Sequence, residues 1–138
     1  MSLGEKRTWI DAAVALGVPL VYFAVVLGQV PGADVTRIRY VGLLVAAVVV
    51  AIVANIVLSI VAAITAPKGV EADERDRQIH RFGEYVGFYV MSIGAILPLG
   101  LAMAEAPHFW IAQTLYLAFV AAALVSAATK LVAYRRGL

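Results

Sequence analysis

The chain has 138 residues, 63% of them apolar, a mean hydropathy of +0.92, a formal net charge of +2 and no cysteine. Soluble domains run nearer to about 45–50% apolar, which excludes a water-soluble domain as the main body. The small net charge gives no reason to expect a nucleic-acid partner, and without cysteine there are no disulfides, thiolate metal sites or cysteine nucleophiles.

A helix rising 1.5 Å per residue needs about 20 apolar residues to cross the hydrocarbon of a bilayer, and four runs of the chain qualify. The first is expected over 9–30. Trp9 stands at its start, where an amphipathic ring suits the headgroup layer. Asp11 follows close behind and is expected to reach the same interface. Pro19 removes a backbone donor and predicts a kink, and Pro31-Gly32 marks the stop.

The second span is expected over 40–65. Ala47, Ala51, Asn55, Ser59 and Ala63 recur every fourth residue and make one narrow small-and-polar stripe. Small residues let helices approach, and Asn and Ser can hydrogen-bond across the contact. Ala51 and Ser59 are therefore helix-contact candidates; packing is the favoured reading of the stripe, and the alternative puts Asn55 on a polar pathway. Pro67-Lys68-Gly69 ends the span.

The densest charge in the chain follows, over 67–81, and runs without a helix breaker into the third span at 82–104. Asp73 is placed to cap this helix, with Asp76 three residues later in the favourable field of the amino terminus. A bend is expected near Pro98. After the turn Glu105-Ala106-Pro107, the fourth span is expected over 108–134, with Ala118, Ala122 and Ser126 again at four-residue spacing.

Nine of the eleven Lys and Arg residues fall on one side of this arrangement: Lys6, Arg7, Lys68, Arg75, Arg77, Arg81, Lys130, Arg135 and Arg136, against Arg37 and Arg39. The positive-inside rule puts the richer side in the cytoplasm. The reading is thus all-α, a single transmembrane domain forming a four-helix bundle in the cell (inner or plasma) membrane. Both termini are expected to be cytoplasmic and the third helix to extend into the cytoplasm.

Candidate sites concentrate on that third helix. Glu84 enters the bilayer beside Tyr85, Phe88 and Tyr89, and an ionisable group inside a span is a functional candidate by default. Glu84, with His80 as a relay to water and Asn55 on the second span, could couple protons or cations. The plainer reading holds Glu84 at the interface by Arg81, which can also lie over Tyr85. Asp76, His80 and Glu84 fall on one stripe and are weak metal candidates. The first and last lie about 12 Å apart along the axis, too far for one straight helix to wrap a single ion. No metal and no cofactor is therefore expected. The same charges can instead pair along the helix, Asp73 with Arg77 and Asp76 with His80. Gly83 and Gly87 make a G-x-x-x-G pair that suits either dimerisation or packing within the chain. No G-x-S-x-G, phosphate-binding glycine loop, dinucleotide fingerprint or H-E-x-x-H occurs, so an enzyme is not expected.

The segment Asp73-Glu74-Arg75-Asp76-Arg77-Gln78-Ile79, leading to Tyr85 and Tyr89-Val90, resembles a group of small prokaryotic predicted membrane proteins. These carry a DERD-x-x-I loop entering a transmembrane helix with aromatic residues near its start. The group has no assigned biochemical function, so the resemblance implies the four-span architecture and no chemistry. Four-span small multidrug exporters are similar in length but carry a membrane-embedded acid in the first helix, where this chain has only Asp11 near the end.

The expected function is a non-enzymatic membrane protein surrounded by the lipid bilayer and homo-oligomeric. Its cytoplasmic segment, with Asp73, Arg75, Asp76, Arg77 and Arg81, would dock or regulate a cytoplasmic protein. The alternative is a small proton- or cation-coupled transporter or channel using Glu84.

Overall fold

A computed structural model describes residues 3–29, 39–65 and 74–136. They form five helices: α1 (Leu3–Leu27), α2 (Val41–Thr65), α3 (Glu74–Gly94), α4 (Ile96–Met103) and α5 (His108–Arg136). α3 and α4 together make one span, so four helical stretches are long and apolar enough to cross a membrane: Gly4–Leu27, Val41–Ile64, Glu74–Met103 and His108–Arg136. The stops at Pro31-Gly32 and Pro67-Lys68-Gly69, the Arg37 side of the first loop and the Asp73 cap lie outside the described residues.

Prolines act unequally. Pro19 is buried within α1, which continues through it as one helix. A bend is expected near Pro98; the span is interrupted three residues earlier, at Ala95, between Gly94 and Ile96. Pro98 has no N–H to give the Gly94 carbonyl, so the ladder lapses there and resumes with Leu99 N–H on Ala95 O at 3.2 Å.

The turn after α4 closes as a Schellman motif. Ala106 N–H reaches back to Leu101 O at 3.0 Å, and Glu105 N–H to Ala102 O at 3.1 Å. Glu105 takes the left-handed position with φ 58°, where glycine is the usual occupant. Pro107 then accepts Trp110 N–H at 3.0 Å and starts α5.

α5 is the central element, packed against α1, α3 and α4, while α2 packs mainly against α1. The four-helix bundle implied by the sequence is therefore an open one, with α2 at its edge. Val45, Val49, Ile52, Ile56 and Ile60 of α2 are all exposed. An apolar surface this continuous is stable in hydrocarbon and not in water, which makes the protein a multi-pass membrane protein. The Ala47, Ala51, Asn55, Ser59 row is the least exposed side of α2, with Ala47 buried and the other three half-buried.

The two ends of the α1–α5 joint use different chemistry. At the end away from the charges, Tyr22, Val26, Tyr40, Ala47 and Phe109 form the buried cluster. Tyr22 packs edge-on to Phe23 and Tyr116, and its hydroxyl donates to Gln113 Oε1 at 2.8 Å. At the other end the contacts are polar, and the site lies there.

A non-glycine residue in the left-handed region costs about 1–2 kcal/mol. Glu105→Gly is expected to raise stability in detergent by about 1 kcal/mol after the entropy that glycine adds to the unfolded chain. Thermal unfolding of the two proteins checks this; an unchanged or lower midpoint contradicts it.

Candidate functional site at the charged end

The close approach of α3 and α5 comes first, because it fixes everything around it. Gly83, Gly87 and Gly94 face Lys130, Ala122 with Ser126, and Ala118. A Cβ on Gly83 would stand 2.5 Å from Lys130 Cγ, one on Gly87 would stand 3.2 Å from Ala122 O, and one on Gly94 would stand 3.0 Å from Ala118 Cβ. The G-x-x-x-G face is thus occupied by the small-residue row of α5. That row runs Ala118, Ala122, Ser126, and its next member is Lys130.

The stem of Lys130 lies over Gly83, and its side chain is only 8% exposed. Its Nζ donates to Glu84 Oε1 at 2.7 Å, and Ser126 Oγ donates to the same oxygen at 3.5 Å. Glu84 is therefore held from the neighbouring helix by Lys130, and not by Arg81 from its own. The physical reason is solvation: Arg81 is exposed and needs no partner, whereas an almost buried ammonium must have one.

Closer to the helix ends, α1 joins. Tyr134 donates to Asp76 Oδ1 at 2.8 Å, and Gly4 leaves the room for α1 to meet this pair. A Cβ at Gly4 would run into the Tyr134 hydroxyl and stand 3.0 Å from Asp76 Oδ1. Arg135 Nε pairs with Glu5 Oε1 at 2.9 Å. Arg75 donates to Tyr134 O at 3.1 Å and Ala133 O at 3.4 Å, with its guanidinium 5.7 Å from the Tyr134 ring centroid. A cation thus satisfies carbonyls that the end of α5 leaves without helical donors. Arg77 pairs with Glu74 at 3.5 Å, both of them exposed.

These contacts enclose a cavity of about 450 Å³ lined by Gly4, Arg7, Thr8 and Asp11 of α1, Ser59 of α2, Asp76, Arg77, His80 and Arg81 of α3, and Lys130 and Tyr134 of α5. Asp11 faces it, within coulombic range of Lys130, Glu84, His80 and Arg7. A second, apolar groove of about 370 Å³ lies between α1, α2 and α5, and Asn55 lines it. Asn55 Oδ1 is buried without a hydrogen-bond partner among the described residues.

Of the sequence candidates, His80, Arg81, Asp76, Arg77 and Ser59 share the polar cavity, with Glu84 one bond away through Lys130. Asn55 and Ala51 belong to the apolar groove, while Gly83 and Gly87 form the α3–α5 contact. Arg75 is committed to α5, and Asp73 lies outside the described residues. Asp76, His80 and Glu84 do not converge: among the described residues no three His or carboxylate side chains come together to hold a metal. The sequence reading missed the α1 and α5 sides of the site, among them Arg7, Asp11, Lys130 and Tyr134. Lys130 had a signal, since it continues the Ala118, Ala122, Ser126 row, and a charge on a contact stripe needs a partner across it.

No family profile, curated protein sequence or solved structure matches the chain.

The unequal exposure of the ion pair, 8% for Lys130 against 59% for Glu84, sets an order of effects. Glu84→Gln leaves a buried ammonium without its counter-charge and is expected to cost about 1–3 kcal/mol. Lys130→Met leaves a carboxylate that opens toward the charged end, where headgroups and water can solvate it, and is expected to cost less. The double variant should be no worse than Glu84→Gln alone. Unfolding in detergent of the three variants checks this, and a larger loss for Lys130→Met reverses the account.

Proposed function

We propose that the chain is a non-enzymatic protein of the cell membrane whose charged end, with both termini and the cavity, faces the cytoplasm. In this reading the outward side of α3 beside the cavity is a docking or regulatory surface for a cytoplasmic partner. The observation that carries it is the gathering of Lys6, Arg7, Arg75, Arg77, Arg81, Lys130, Arg135 and Arg136 at one end of the helices, the asymmetry that sets cytoplasmic orientation.

The surface is narrower than the charge run suggests. Arg75 and Asp76 bind α5, so the groups left to a partner are Glu74, Arg77, Gln78 and Arg81, all exposed. Self-association belongs to the same proposal. The outward valine and isoleucine face of α2 is the surface open to it, because α5 covers Gly83 and Gly87.

A second reading, proton- or cation-coupled transport, is favoured by one specific feature. The Glu84–Lys130 pair lies within a span, beside a polar cavity and with Asp11 in coulombic range. Ionisable pairs at such depth often mark a route for ions.

The cysteine-free chain makes the orientation directly measurable. Single Arg77→Cys and Arg136→Cys variants should both react with a membrane-impermeant thiol reagent only from the cytoplasmic side. Capture of a cytoplasmic protein should be lost in Arg77→Glu/Arg81→Glu, with the melting temperature unchanged; capture that survives this double reversal contradicts docking. Reconstituted protein giving a proton-dependent current abolished by Glu84→Gln would favour transport instead.

A further inference from the structure

We propose that the charged-end cavity and the apolar groove beside it form one site for a membrane phospholipid whose headgroup carries both a phosphate and a primary ammonium, as in phosphatidylethanolamine. The inference requires only that the four helices lie in a bilayer. It does not depend on which side the charged end faces, and although it shares Arg81 with the docking surface, lipid retention in detergent and capture of a protein are separate readouts.

Several of the charges around the cavity are already used. Asp76 accepts from Tyr134, Lys130 is bound to Glu84, and Arg77 is paired with Glu74. Among the described residues, the cavity-lining Arg7, Arg81 and Asp11 make no ion pair or side-chain hydrogen bond. Two guanidinium groups and one carboxylate thus converge on a single space of about 450 Å³, within the size range of small-ligand sites. Guanidinium forks match phosphate oxygens in geometry and charge. Asp11, which would repel a purely anionic ligand, is complementary to an ammonium attached to that phosphate.

Continuity with the apolar groove separates a lipid from a soluble phosphate. Asp11 and Ser59 line the polar cavity, while Ala15 and Asn55 line the groove. Each pair is one helical turn apart on its helix, Asp11 to Ala15 on α1 and Ser59 to Asn55 on α2, so the groove prolongs the cavity along the helix axes. Its other walls, including Val14, Val48, Ile52 and Phe119, are apolar and suit an acyl chain. Exposed Trp9, Phe82 and Tyr85 at the same end are the amphipathic residues that settle at headgroup depth.

The test uses the full chain, purified and delipidated in detergent, with native mass spectrometry reading lipid retention. Phosphatidylethanolamine, phosphatidylglycerol and phosphatidylcholine are presented at equal concentration, with soluble phosphoethanolamine in a parallel arm. Phosphatidylethanolamine should be retained best. Arg7→Gln/Arg81→Gln should weaken it by about tenfold or more, the loss expected for charge-assisted hydrogen bonds. Asp11→Asn should abolish the preference for phosphatidylethanolamine over phosphatidylglycerol while leaving phosphatidylglycerol bound. The melting temperature of each variant without lipid checks that it is folded. Equal retention of the three lipids, phosphatidylglycerol bound best by the unmodified chain, or no loss in the double variant overturns the proposal. So does soluble phosphoethanolamine binding as tightly as the lipid, which would assign the cavity to a water-borne ligand.

Discussion

The distance between α3 and α5 is the constraint on which the rest depends. Three glycines on one helix meet alanines, a serine and the stem of a lysine on the other, so the backbones come close enough for side chains to bond across the seam. In lipid there is little hydrophobic gain from bringing two helices together, and close van der Waals packing with polar bonds has to hold them. The seam supplies both. Glycine removes the bulk, and the Lys130–Glu84 bond supplies a polar attraction in surroundings of lower dielectric than water.

From that seam the charged end follows. With α5 fixed on α3, Tyr134 comes within reach of Asp76, and Arg75 covers the last carbonyls of α5. α1 then closes on this pair through Gly4 and the Glu5–Arg135 bridge. The aromatic cluster and the Tyr22–Gln113 bond hold α1 and α5 together at the opposite end. α2 has no such polar attachment at its Asn55, whose buried carbonyl oxygen is unpaired among the described residues, and it stays at the margin. The cavity is what remains where three tied helices and one marginal helix meet.

Hydropathy alone made the four spans legible, because a bilayer demands long apolar helices and few other patterns produce them. The small-residue rows at Gly83, Gly87 and at Ala118, Ala122, Ser126 were legible too. Their pairing with each other was not, since spacing shows that a face is close-packed but not which helix covers it. The charges of α3 were read as neighbours along one helix, Asp76 with His80 and Arg81 with Glu84. The bonds that the fold forms run instead to Tyr134 and Lys130, more than forty residues away, where no local pattern could place them. Pro98 marked the right helix but three residues late, because the span is interrupted at Ala95, next to the Gly94 carbonyl that loses its donor, and not at the proline.

A disulfide between α3 and α5 tests the seam most directly. A Cβ built on Gly87 stands 3.2 Å from Ser126 Cβ, close to the separation of about 3.5–4.5 Å found across disulfides. In a chain with no native cysteine, Gly87→Cys/Ser126→Cys should therefore crosslink within one polypeptide when membranes are oxidised, and the product should run as a monomer on non-reducing gels. No crosslink, or a crosslink that joins two chains, would mean that the glycine face of α3 meets something other than its own α5.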